Sequence, residues 1–214
     1  MNWDFPNNYL LEVSYDGSEY HGWAIQKEQR TVQGDFKVAL ENFLQEYRWS
    51  VAGRTDSGVH ARGQRVSLSM PIPFDAEKLM KLLNRMLPLT VRVKNVKKTE
   101  RYIDIRREAK SRHYKYRIKD QSDLTPFNSR YFTFRDLSSI DWEKVKKGVE
   151  KLRGEHNFFN FSSKKKFASN FVRIVDRFEL EMKDGIADFS IECASFLYNM
   201  VRRIIGTLLY VGEG

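Results

Sequence analysis

The feature that most constrains this chain is an order of hydrophobic patterns that occurs twice. Residues 9–16 alternate as a strand with Leu11, Val13 and Tyr15 on one face. Residues 31–45 then read as an amphipathic helix, with Thr31 as a cap and Val32, Phe36, Leu40, Phe43 and Leu44 on one stripe. Trp49 and Val51 mark a second strand, and Val66, Leu68 and Met70 a third. After the breaker Pro71-Ile72-Pro73, Asp75 caps a second helix whose inward face is Leu79, Leu82, Leu83 and Met86. Pro88 forces that helix to stop, and Val91–Val96 closes the set. The order is βαββαβ, the split βαβ arrangement of ferredoxin-like domains.

The order then begins again. Tyr114–Ile118 is a strand, and residues 140–153 are a helix with Trp142, Val145, Val149 and Leu152 inward and Gly154 as its stop. Residues 171–182 and 186–193 alternate as strands joined at Asp184-Gly185, a strong hairpin signal. Residues 196–211 form the last helix. That is βαββα, with the sixth element, a closing strand, missing from the second half. The expected class is α+β: two ferredoxin-like halves, 1–100 and 101–214, each a largely antiparallel sheet flanked by helices.

Candidate chemistry concentrates in residues 52–64, Ala-Gly-Arg-Thr-Asp-Ser-Gly-Val-His-Ala-Arg-Gly-Gln. Gly53, Gly58 and Gly63 let the backbone turn tightly around one acid, Asp56, with Arg54, His60 and Arg62 beside it. Strand patterns flank the segment, so Asp56 sits on a loop held by two strands, a common place for reactive groups. The plainer alternative is an aspartate that hydrogen-bonds only its own turn.

A hydrophobic content of 41% is enough for a real core, and a single cysteine, Cys193, excludes an intramolecular disulfide and suits a reducing compartment. Four scattered histidines and one thiol give no metal-ligand cluster. No apolar run is long enough to span a bilayer and no signal-peptide pattern is present, so the expectation is a soluble cytoplasmic protein with no metal and no membrane association. The net charge of +9 is unevenly placed. Residues 92–119 hold twelve Lys/Arg against three acids, with Tyr102, Tyr114 and Tyr116 interleaved, a pairing that suits phosphates and stacked bases. Lys164, Lys165 and Lys166, with Arg173 and Arg177 downstream, form a second basic cluster.

The last helix is apolar nearly all round and is expected to be mostly buried, yet Arg202 and Arg203 interrupt it. Such an arginine reaches water at a rim or pairs with a carboxylate. Asp56 is the best candidate partner, and a nearby cation would hold it ionised.

Residues 53–64 resemble the Gly-Arg-Thr-Asp-Ala-Gly-Val-His-Ala…Gly-Gln signature of the TruA family of tRNA pseudouridine synthases, with Ser57 in place of alanine. Further matches follow in the same order: Tyr15-Asp16-Gly17, Tyr20-His21-Gly22-Trp23, Thr31-Val32-Gln33-Gly34, Arg112-His113-Tyr114-Lys115-Tyr116 and Met200-Val201-Arg202-Arg203-Ile204-Ile205-Gly206. The chain departs from the family at Arg107 and Glu108, where Phe and Ser are usual, at Asn157 of His156-Asn157-Phe158, and at Arg203, usually asparagine.

The resemblance implies the pseudouridine synthase fold and conversion of uridine to pseudouridine in the tRNA anticodon arm, around positions 38–40. It implies Asp56 as nucleophile or base, Arg202 as its partner and Tyr114 against the target base. It also implies a homodimer and no cofactor, because the isomerisation involves no redox change. Arg54, His60, Arg62, Arg112 and Arg203 are the candidate substrate contacts. The alternative is an RNA- or tRNA-binding protein of the same fold without catalysis.

Overall fold

The computed structural model describes residues 5–163 and 170–214. It divides into two compact units, Met1–Ala109 and Lys110–Gly214. The basic cluster Lys164–Lys166 lies outside the described residues.

The first unit runs β1 (Asn7–Tyr15), α1 (Val32–Glu41), β2 (Arg48–Val51), β3 (Ala61–Met70), α2 (Ala76–Met86), β4 (Val91–Thr99) and a single turn, α3 (Ile105–Glu108). Its sheet has the order β2-β3-β1-β4 and is antiparallel throughout. This is the expected βαββαβ unit. The period-2 pattern works as anticipated: Tyr9, Leu11, Val13 and Tyr15 are buried on one face of β1, together with Val66, Leu68 and Met70 of β3. Both helices supply the other side of this core through Val32, Phe36, Leu40, Leu79 and Leu83. Thr31 caps α1 by accepting from the Gly34 amide at 3.2 Å, and Asp75 caps α2 by accepting from Glu77 and Lys78. Two expectations are corrected here. Helix α1 stops at Glu41, short of residue 45, because Leu40 accepts from both Phe43 and Leu44 in a tightened last turn. On α2, Leu82 is only half-buried and Met86 is exposed, since the inward stripe is the i, i+4 pair Leu79 and Leu83.

The second unit runs β5 (Arg112–Asp120), β6 (Thr133–Arg135), α4 (Trp142–Lys151), β7 (Gly154–Asn157), β8 (Val172–Lys183), β9 (Ile186–Cys193) and α5 (Met200–Glu213). Its sheet has the order β6-β5-β9-β8-β7. β6 is parallel to β5 and the remaining pairs are antiparallel. The β8–β9 hairpin turns at Asp184 and Gly185, both with positive φ (51° and 70°), which explains the Asp-Gly pair. The core joins Val145 and Val149 of α4 to Phe178, Phe189 and Ile191 of the sheet and to Ile204, Ile205 and Leu208 of α5.

Strands β6 and β7 were not anticipated. Each has only three or four residues, too few to show alternation. The last helix differs from expectation in two respects. It begins at Met200, after Asn199 in the left-handed conformation (φ 59°), so residues 196–199 lie outside it. It is also one-sided: Met200, Ile204, Ile205, Leu208, Leu209 and Gly212 are buried, while Tyr210 is 74% exposed. The burial repeats at i, i+4 and i+5, so a near-continuous apolar sequence still presents a single inward stripe.

Candidate active site

The Asp56 loop leaves β2 and enters β3, and the body of the first unit fixes both of its ends. Ala52 N donates to Arg65 O at 3.0 Å. The Gln64 side chain donates to Gly53 O at 2.7 Å. Tyr15, at the end of β1 and 4% exposed, shares a 2.8 Å hydrogen bond with the Thr55 hydroxyl. Asp56 is half-buried and opens a turn in which Val59 N donates to Asp56 O at 3.2 Å. Gly58 takes the third position of that turn with φ 76°, a conformation that strains any side-chain-bearing residue. The turn therefore explains Asp-Ser-Gly-Val as a local sequence.

A second loop, residues 16–23, packs against the first backbone to backbone. Trp23 N donates to Thr55 O (3.0 Å), Gly58 N to Tyr20 O (3.2 Å) and the Ser57 hydroxyl to the same oxygen (3.4 Å). Gly17 and Gly22 allow the approach. A β-carbon on Gly17 would stand 2.1 Å from Val59 O, and one on Gly22, with φ 89°, would stand 2.6 Å from Thr55 O. In the sequence, Tyr15 reads as a strand-face residue, and Tyr15-Asp16-Gly17 and Tyr20-His21-Gly22-Trp23 as family matches; in the structure these segments support the Asp56 turn.

His60 closes this arrangement. Its Nδ1 lies 3.1 Å from Gly17 N and 3.1 Å from an Asp16 carboxylate oxygen, which also accepts from the Ser18 amide and hydroxyl. One ring nitrogen cannot accept from Gly17 and donate to Asp16 at once, so the tautomer selects between them. In both cases His60 ties the two loops together. Tyr20 anchors the 16–23 loop: it is 1% exposed, and its hydroxyl donates to Asp35 at 2.7 Å and contacts the Thr90 hydroxyl at 2.9 Å. Burial, more than any neighbouring charge, pushes its phenol up to about 12. Arg54 and Arg62 are exposed. The structure thus brings Arg54, Asp56, His60 and Arg62 together on one loop and the strand that follows it.

The second unit carries the other predicted residues. Tyr114 is half-buried on β5, opposite Ile191, with its ring edge-on to Phe196 at 5.0 Å. Tyr116 lies two residues along on the same face and accepts from the Thr133 hydroxyl at 2.9 Å, which ties it into the sheet. Arg112 donates to Ala194 O at 2.5 Å. Arg202 and Arg203 are exposed on α5, away from its buried stripe, and Arg203 donates to Ser162 O at 2.9 Å. Among the described residues, no group of three or more His, Cys, Asp or Glu could hold a metal ion. No described helix is long and apolar enough to cross a membrane.

A family profile described as tRNA pseudouridine synthase matches residues 149–214. The curated relatives extend the similarity over nearly the whole chain. The tRNA pseudouridine synthase A of Halalkalibacterium halodurans is 34% identical over 206 residues, 95% of this chain and 78% of the relative. That of Acetivibrio thermocellus is 35% identical over 208 residues, covering 97% and 85%. That of Fervidobacterium nodosum is 37% identical over 207 residues, covering 95% and 84%. On this similarity, which spans 95–97% of its length, the chain belongs to the tRNA pseudouridine synthase A family, whose members are isomerases.

Proposed function

We propose that this protein isomerises uridine to pseudouridine in the anticodon arm of tRNA, around positions 38–40, with Asp56 as the catalytic carboxylate. The observation that carries the proposal is the support of the Asp56 turn. Tyr15, Gln64, Gly17, Gly22 and His60 hold a half-buried acid on a backbone with little freedom to move. Preorganisation of this kind is what a group acting on one sugar carbon needs.

In the reaction the bond from ribose C1′ to base N1 breaks and a bond from C1′ to C5 forms. The C5 proton leaves and N1 gains one, so atoms and electrons balance without an oxidant. A carboxylate serves this by attacking the sugar to give a covalent intermediate, or by removing a sugar proton as general base. The target nucleotide must leave its stack to reach such a loop. Tyr114 offers an aromatic surface for the extruded base, and Arg202 serves the same reaction. We assign the reaction to Arg202, as the family resemblance implies, and a phosphate to the Arg203 donors that remain beside its bond to Ser162. Arg54 and Arg62 are exposed and suited to phosphates, and Arg112 orders the end of β5. His60 acts on substrate through the loop it holds. The enzyme works as a cytoplasmic homodimer.

The test is to incubate the protein with unmodified tRNA transcripts and map pseudouridine by chemical labelling and reverse transcription. Product in the anticodon arm supports the proposal. Product only elsewhere contradicts the assigned position, and binding without product favours an RNA-binding protein of the same fold.

A further inference from the structure

We infer that the first unit carries a second nucleotide-binding pocket, remote from Asp56, built by Asn8, Arg48, Tyr102 and Arg107. The inference rests on tRNA being the substrate and names a further contact for it. A cavity of about 620 Å³ opens where β1 and β2 begin and the segment after β4 returns over the sheet. That volume is in the range of small-ligand sites.

Several features fit a nucleotide. Asn8 lies on the sheet face opposite Tyr9 and Leu11, is 5% exposed, and its side-chain oxygen has no hydrogen-bond partner. A buried acceptor left unmatched is costly unless something arrives to donate to it. A base amino group or a ribose hydroxyl is such a donor. The Arg48 guanidinium lies over the Tyr102 ring, 4.0 Å from its centroid, which makes a flat cationic wall. Arg107 is 86% exposed and held only loosely, with Nε 3.6 Å from the Asp104 carboxylate, so it can turn to a phosphate. Of the two acids lining the pocket, Glu108 clamps Arg101 through both oxygens, at 3.0 and 2.7 Å, and accepts from Asp104 N, and Asp104 faces Arg107 itself.

The pocket and the Asp56 loop are at opposite ends of β1. Asn8 is the second residue of the strand, while Tyr15, seven residues on, contacts Thr55. At roughly 3.3 Å per residue the separation is about 23 Å. One flipped uridine cannot reach both places. A strand advancing about 3.4 Å per nucleotide covers the distance in roughly seven steps, so the occupant is a nucleotide elsewhere in the same tRNA.

The experiment compares wild type with Arg107→Ala and Asn8→Leu on full-length tRNA and on a minimal stem-loop trimmed so that no nucleotide can lie as far as about 23 Å from the target uridine. Expected for both variants is a rise of several-fold in KM for full tRNA, unchanged kcat, and unchanged KM for the stem-loop. Replacing the unmatched Asn8 oxygen should leave the Tm unchanged or raised while tRNA affinity falls, which a purely structural role would not produce. An equal KM rise on both RNAs would mean general charge attraction and would overturn the inference, as would no change on either. If wild type forms no pseudouridine, the same comparison by equilibrium binding still decides the pocket, so its failure is separable from failure of the proposed activity. Displacement of full tRNA by adenosine monophosphate in wild type but not in Arg107→Ala would show that free nucleotides enter as well. That result would overturn the restriction to tRNA.

Discussion

A β-carbon on Gly22 would stand 2.6 Å from the carbonyl oxygen of Thr55, the residue before Asp56. No real contact is that short, and the obstacle is backbone rather than a side chain that could swing aside. Gly22 also holds φ at 89°, where an L side chain is strained. Gly22→Ala is therefore predicted to cost about 1–3 kcal/mol of stability and to displace the turn. Its kcat on tRNA should fall steeply while tRNA binding changes little, as checked by steady-state kinetics beside filter binding.

Tyr15 supports the same residue through its side chain. Tyr15→Phe removes the 2.8 Å hydrogen bond to Thr55 and keeps the ring packed against Trp23. A loss of about 1 kcal/mol in denaturant unfolding is expected, with a smaller fall in kcat than Gly22→Ala, because the backbone contacts from Trp23 and Gly58 remain.

Tyr20 makes stability depend on alkaline pH. Its phenol titrates near 12 in the folded protein, above its ordinary 10.0, chiefly through burial. Below pH 10 both folded and unfolded chains keep the proton, and the contribution is fully present. Above it the unfolded chain ionises first, so stability is lost as pH rises from 10 through 12, by on the order of 2 kcal/mol. Denaturant midpoints across that window should fall less steeply for Tyr20→Phe than for wild type.

The helix that carries Arg202 owes its position to close contact with α4. A β-carbon on Gly148 would stand 2.4 Å from a Leu208 methyl carbon, and one on Gly212 would stand 2.8 Å from side chains of both Ile140 and Val145. Gly148→Val should overpack this crossing and destabilise the protein by about 1–3 kcal/mol, read as a fall in Tm. By contrast Arg202→Ala, on the exposed side of α5, should leave Tm nearly unchanged and reduce kcat.

The βαββαβ order was legible because strands such as β1 and helices such as α2 each bury one face, so period 2 and period 3.6 are written directly into Leu11, Val13, Leu79 and Leu83. Asp184-Gly185 was legible because its turn requires positive φ at both residues. Strands β6 and β7 were not, since Thr133–Arg135 and Gly154–Asn157 exist by pairing with β5 and β8 rather than by any local pattern. The start of α5 was misplaced because Phe196–Asn199 continues the apolar pattern while Asn199 breaks the backbone into the left-handed region. At the candidate site, Asp56 and its glycines stood out. The supporting roles of Tyr15, Gly22 and Gln64 depend on long-range contacts that no local spacing encodes.

The most direct measurement is single-turnover pseudouridine formation by Asp56→Asn on full-length tRNA, with equilibrium binding of the same RNA in parallel. Asparagine keeps the size of the side chain but cannot act as carboxylate nucleophile or base. The account predicts binding within a few-fold of wild type and product formation slowed by about 10³-fold or more. Product at the wild-type rate would contradict the assignment of the chemistry to Asp56.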